Sequence, residues 1–99
     1  MSISVSLEQP NTGPAKCVVG GMLDFTTAKQ ALDLVVPHII SHEKLDIDLS
    51  KVSASNSAGL ALMIEWLAVS RRSGHVVTFH HIPDGLRQLA GVCQVDGLI

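Results

Sequence analysis

Residues 53–57, Ser-Ala-Ser-Asn-Ser, gather hydroxyls and an amide just ahead of a long apolar stretch. Such side chains either cap a helix, by accepting hydrogen bonds from its orphan amides, or offer a hydroxyl to a phosphate or a partner. Ser55 or Asn56 fits the cap, and Ser57 would then lie in the first turn, accessible and at the positive end of the helix dipole. Asp46 and Asp48 are two residues apart, so on a strand they share one face at about 7 Å, an arrangement that invites acid–base chemistry. No nucleophile or pocket signal accompanies them, and solvated or backbone-bonded carboxylates explain them better. His38 and His42 are spaced i, i+4, and His80-His81 adjoin elsewhere, which outlines a metal site. Histidines near a helix C-terminus serve the dipole equally well, so no metal is expected. Cys17 and Cys93 make no CxxC pair and read as two buried thiols in a reducing compartment. There is no Walker-type phosphate loop, so ATP hydrolysis by this chain is not expected, and neither is a cofactor.

These residues need elements to position them. Ile3, Val5 and Leu7 alternate with Ser4, Ser6 and Glu8, the period of a strand with one dry face. Gln9-Pro-Asn-Thr-Gly-Pro14 is a turn, and residues 15–22 form a second strand, antiparallel to the first, ending at Gly20-Gly21, where close packing excludes a side chain or a positive φ is needed. Thr26 or Thr27 starts a helix, Thr27 with Gln30 fitting a capping box. That helix buries Ala28, Ala31, Leu32, Val35 and Val36 until Pro37 kinks or ends it. Leu45, Ile47 and Leu49 alternate with Asp46, Asp48 and Ser50 as a central but half-polar strand. A second helix spans residues 57–73, with Arg71 and Arg72 in its last turn and Gly74 as a left-handed cap. Residues 76–82 form a fourth strand, Pro83 opens a short third helix through Leu86, Leu89 and Ala90, and residues 95–99 can add a short terminal strand. The order predicts an α/β fold: a mixed sheet of four to five strands in one domain over residues 1–99. Right-handed crossovers put the helices mainly on one face, leaving the other open.

Composition narrows the function. Hydrophobic residues make up 46% of the 99 and charged residues 16%, against roughly 25% charged in an average domain. A small domain so short of charge either exposes apolar surface or covers it with a partner. The net charge of −2 and an aromatic complement of Phe25, Trp66 and Phe79 give no case for nucleic acid or anionic membrane. The N-terminus lacks a basic segment followed by an apolar core, so no signal peptide is expected. The apolar run at 58–69 is interrupted by Glu65 and is too short to span a bilayer.

Gly21-Met-Leu-Asp24, then Asp48-Leu-Ser-Lys-Val52, then Asn56-Ser-Ala-Gly-Leu60 resembles the STAS domain family, the sulfate-transporter and anti-sigma-antagonist fold. The family pattern is a strand ending D-L-S, about four residues, then D-[ST]-x-G-L opening a helix. Ser57-x-Gly-Leu-Ala-Leu62 and the basic-basic-x-Gly ending at Gly74 are most similar to the MlaB-type branch, cytoplasmic subunits of the Mla phospholipid ABC transporter of Gram-negative bacteria. The resemblance implies no enzymatic activity. It implies a cytoplasmic protein held peripherally at the inner membrane, docking on an ABC ATPase that shares its complex with a permease. In the anti-sigma antagonists the hydroxyl aligned with Ser57 is phosphorylated by a partner kinase, which implies Ser57 as an alternative switch. The preceding residue is normally Asp, and Asn56 keeps the cap but loses the charge.

The second helix points to docking independently. Leu60, Met63, Ile64 and Leu67 form a stripe facing the sheet, while Leu62, Trp66 and Val69 widen the apolar arc sideways and Ala61, Glu65, Ala68 and Arg72 leave a thin polar face. The expected partner surface is therefore Ser55, Asn56, Ser57, Ala58, Ala61, Leu62, Glu65, Trp66 and Val69, with Trp66 either its anchor or wedged between helices.

Overall fold

The computed structural model describes residues 3–99. Strands β1 (Ile3–Glu8) and β2 (Ala15–Leu23) form an antiparallel hairpin, with Ile3 opposite Gly21 and Glu8 opposite Lys16. Helix α1 (Ala28–Ser41) leads to β3 (Lys44–Ser55), parallel to β2, and helix α2 (Ser57–Ser73) leads to β4 (Val76–His80), parallel to β3. Helix α3 (Asp84–Val92) and a 3₁₀ turn (Asp96–Leu98) close the chain. The sheet order β1-β2-β3-β4 follows the sequence, so both crossover helices lie side by side on one face, as the alternation predicts. The terminal strand expected over 95–99 is instead the 3₁₀ turn.

The core forms between the inward faces of the strands and the helices. Cys17, Val19 and Leu23 of β2 and Leu45, Ile47 and Leu49 of β3 meet Ala31, Val35 and Ile39 of α1 and Met63 and Trp66 of α2. Pro37 does not end α1, which runs one more turn to Ser41 and so brings Ile39 into the core. Ala28, Leu32 and Val36, expected inside, are half-buried. Of the two thiols, Cys17 is buried and its pKa is pushed up to about 11 by that burial, whereas Cys93 is exposed.

Strand β3 is longer than its alternation suggests. Val18 pairs with Asp48 but Gly20 with Lys51, and Gly21 with Val52 but Met22 with Ala54. At each step β3 advances one residue more than β2, so it carries two bulges, which break the period-two pattern. Residues 53–55, read as a turn, are the end of this strand. Both glycines of β2 answer the bulged partner: a Cβ on Gly20 would lie 2.8 Å from Ser4 Oγ and 3.1 Å from Lys51 Cβ, while Gly21 takes φ 101°. Beyond α2, Gly74 at φ 72° closes a Schellman motif, its amide on Arg71 O and that of His75 on Ser70 O.

Trp66 is fully buried, 6.3 Å from Phe79 between ring centroids. Its Nε1 has no hydrogen-bond partner among the described residues, so packing alone holds it. The wide apolar arc of α2 is filled on one side by α1 and on the other by β4 and α3. This removes Trp66 from the expected partner surface. Trp66→Ala should cost about 3–5 kcal/mol in urea unfolding, as large-to-small core changes do; a loss below about 1 kcal/mol would place the ring outside the core.

Candidate functional site

Both crossover helices start from the end of β2. Thr27 Oγ1 donates to Met22 O at 2.6 Å and accepts from the Asp24 amide at 3.1 Å. It thus serves the strand end, and the expected capping box with Gln30 does not form. Asp24 Oδ1 accepts from the Thr26 amide and hydroxyl at 2.8 and 2.6 Å. These bonds, the hydroxyl first, hold the Asp24 pKa below the ordinary value. One strand over, the Asn56 amide donates to Leu23 O at 3.2 Å, and Asn56 Oδ1 accepts from the Ala58 amide at 2.9 Å, capping α2. Gly59 brings this first turn onto the strand end: a Cβ there would sit 3.3 Å from Leu23 Cβ and 3.4 Å from Leu86 Cδ2.

This arrangement opens a groove of about 390 Å³ between the two helix starts. Phe25, Ala28, Lys29 and Leu32 line one wall, and Ala58, Ala61, Leu62 and Glu65 the other. Phe25, in the connection ahead of α1, is 76% exposed. Charges stand only at the rim, Lys29 paired with Asp33 at 3.0 Å and Glu65 with Arg72 at 3.3 Å. An apolar floor with a charged rim is suited to receiving an apolar side chain of another protein.

The expected partner residues divide accordingly. Asn56, Ser57, Ala61 and Glu65 are exposed, Ser55 and Val69 half-buried, and Ala58 and Leu62 nearly buried at the groove floor. Val69 lies farther along α2, outside the groove lining, and Trp66 lies behind it in the core. Sequence reasoning missed Phe25, Lys29 and the contribution of α1 as the second wall. The signal was a lone phenylalanine among polar turn residues, Asp24-Phe-Thr-Thr27, where nothing local could bury it.

The other chemistry-bearing residues lie elsewhere. His42 Nδ1 is 2.9 Å from His38 O at the end of α1. Asp46 and Asp48 lie on the open face of the sheet with Lys16, His80 and His81, around a depression of about 200 Å³. Asp48 is not solvated: its side chain is 7% exposed, with Oδ2 3.3 Å from Lys16 Nζ and Oδ1 3.2 Å from His81 Nδ1. Oδ1 also accepts the Ser50 amide at 2.8 Å, inside the first bulge of β3. Burial acts to raise its pKa, but the Ser50 amide and hydroxyl, Lys16 and His81 together hold the carboxyl far below the ordinary range. Asp48 thus satisfies the Ser50 amide that the bulge turns out of the ladder.

A family model described as "Mlab, STAS domain" matches residues 10–99. Among solved structures, the chain is similar to the anti-sigma factor antagonist SpoIIAA in its unphosphorylated form, at 12% identity over 95% of this chain and 84% of that one, with TM-score 0.70. It is similar to an anti-sigma factor antagonist from Mycobacterium paratuberculosis at 26% identity, over 98% and 82% of the two chains, with TM-score 0.69. A STAS-domain antisigma-factor antagonist from Rhodobacter sphaeroides matches at 16% identity, over 78% and 84%, with TM-score 0.65. No curated protein sequence matches the chain.

Asp48→Asn should cost about 1.5–3 kcal/mol at neutral pH, the scale of hydrogen bonds to a charged group. Because the folded pKa is depressed, this stabilisation is present above the unfolded value of about 3.9 and is lost as pH falls toward the folded one. Urea midpoints of the two proteins should therefore converge below about pH 4; a gap unchanged down to about pH 2 would contradict the assignment.

Proposed function

The chain belongs to the STAS domain family, and from that membership we propose that it is a non-enzymatic cytoplasmic subunit that docks on an ABC transporter ATPase and supports its assembly and activity in phospholipid transport. STAS domains act through protein–protein interaction, and the family model that matches carries the description Mlab. The observation that carries the reading is the apolar groove between the starts of α1 and α2, open beside the exposed Ser57. In this reading the groove and the first two turns of α2 meet the ATPase, which holds the protein at the inner membrane beside the permease. No helix among the described residues is long and apolar enough to cross a membrane, so attachment in this reading goes through the partner.

A second reading, an anti-sigma antagonist switched by a kinase at Ser57, draws on the exposed position of Ser57 in the first turn and on the antagonists to which the chain is similar. Phosphate there would meet the positive end of the helix. Asn56 in place of the family's usual Asp favours contact over switching.

Capture of the tagged protein from detergent-solubilised native membranes should recover an ATPase together with a permease. Ala61→Glu, which puts a charge on the exposed α2 wall of the groove, and Ser57→Asp should each reduce that recovery at least about tenfold, the effect of roughly 1.4 kcal/mol lost at an interface, while Ser57→Thr should be tolerated. Recovery of a soluble kinase alone, with a phosphate mass increment that Ser57→Ala abolishes, would overturn the transporter reading in favour of the switch.

A further inference from the structure

The outer edge of the sheet carries an arrangement independent of the groove. Strand β1 is an edge strand: all of its residues pair with β2, and no other strand among the described residues pairs with its far side. A free edge presents a row of unused amides and carbonyls, and proteins usually guard it with a lysine, a proline, a bulge or a very short strand. β1, Ile-Ser-Val-Ser-Leu-Glu, has no lysine or proline, and its register with β2 runs without a bulge. Its one charge, Glu8, stands at the end of the strand opposite Lys16 of β2. The other edge strand, β4, is shorter, and just past its end His81 turns the chain aside at φ 57°. We propose that β1 pairs antiparallel with β1 of a second copy of this chain, joining two sheets into one.

Helix α1 carries the argument further. It packs over β1 and β2, and its residues Ala28, Lys29 and Leu32 face the groove and α2. Leu34 follows Leu32 by two residues, about 200° around the helix, so it lies on the opposite flank, toward the β1 edge. That flank consists of Gln30, Leu34, Pro37, Ser41 and the half-buried His38, with no lysine, arginine, aspartate or glutamate. Leu34 is 41% exposed, and Val5 and Leu7 on the helix side of β1 are only half-buried. Apolar surface and free backbone therefore adjoin along one edge.

A two-fold axis through the middle of β1 suits both layers. Centred on Val5 it sets Ile3 opposite Leu7 and Ser4 opposite Ser6; centred on Ser6 it sets Val5 opposite Leu7 and Ser4 opposite Glu8. Either register keeps apolar residues on the helix side and opposes no like charges. As the crossover from β2 to the parallel β3, α1 runs in the same sense as β1. Leu34 stands near its midpoint, so the same axis brings the two Leu34 side chains together. With strands about 4.8 Å apart, a helix above the β1–β2 boundary stands about 5 Å from that axis. The two copies of α1 then lie about 10 Å apart, the spacing of packed helices. Both grooves, on the far flank of each α1, stay uncovered.

The test is sedimentation equilibrium of the native chain and of L34E between about 5 and about 200 µM, in reducing buffer because Cys93 is exposed. The native chain should associate to a dimer across this range, and L34E should dimerise at least about tenfold more weakly, since two carboxylates would meet at the axis. Leu34 is outside the core, so its replacement leaves the fold intact. Hydrogen–deuterium exchange at the two ends of the concentration range gives a second readout, in which residues 3–8 of the native chain should exchange more slowly in the concentrated sample. A native chain that stays monomeric at the top of the range would overturn the proposal. So would a dimer that L34E leaves unweakened, or one in which residues 3–8 exchange no more slowly.

Discussion

The end of strand β2 is the constraint on which the rest of the structure depends. Within three residues it accepts Thr27 Oγ1 on Met22 O and the Asn56 amide on Leu23 O, while Asp24 O receives the amides of Thr27 and Ala28. Two helices that begin 29 residues apart in the chain (Ala28 and Ser57) are thereby started from one point. Their separation there fixes the groove, and Gly59 determines how closely α2 approaches. A larger residue at that position would press on both Leu23 and Leu86, moving the strand end and α3 together.

The polarity of the molecule follows from the same layout. Sequential strand order places the crossover helices on one face of the sheet, so most apolar residues of the strands turn that way, Val76 of β4 being an exposed exception. The other face keeps lysine, aspartate and histidine, which pair among themselves. One of those charges, Asp48, is drawn into the sheet because a bulge in β3 leaves the Ser50 amide needing an acceptor. Of the two readings preferred for this carboxylate, solvated or backbone-bonded, the backbone geometry supports the second.

Much of this was legible in the residues. Alternation located β1, β2 and β4 to within a residue or two, Asn56 and Gly74 marked the ends of α2, and half-polar strands announced a one-sided sheet. Three features escaped for physical reasons. The bulges of β3 shift its period, so residues 53–55 look like a turn. Pro37 sits on the exposed side of α1, where a missing amide is tolerated and the helix continues. The broad apolar arc of α2 looked like an uncovered surface with Trp66 at its centre, because a sequence does not reveal that neighbours fill the helix from both sides. The surface that does remain open is smaller, and half of it comes from Phe25 and α1.

Docking through the groove, rather than through the open sheet face, is the central claim. Hydrogen–deuterium exchange of this protein alone and in complex with the proposed partner, an ABC transporter ATPase, tests it most directly. The account predicts slowed exchange in residues 25–32 and 57–65, with β4 and the open-face residues of β3 unchanged. Slowing confined to β3 and β4, with both helix starts unaffected, would contradict it.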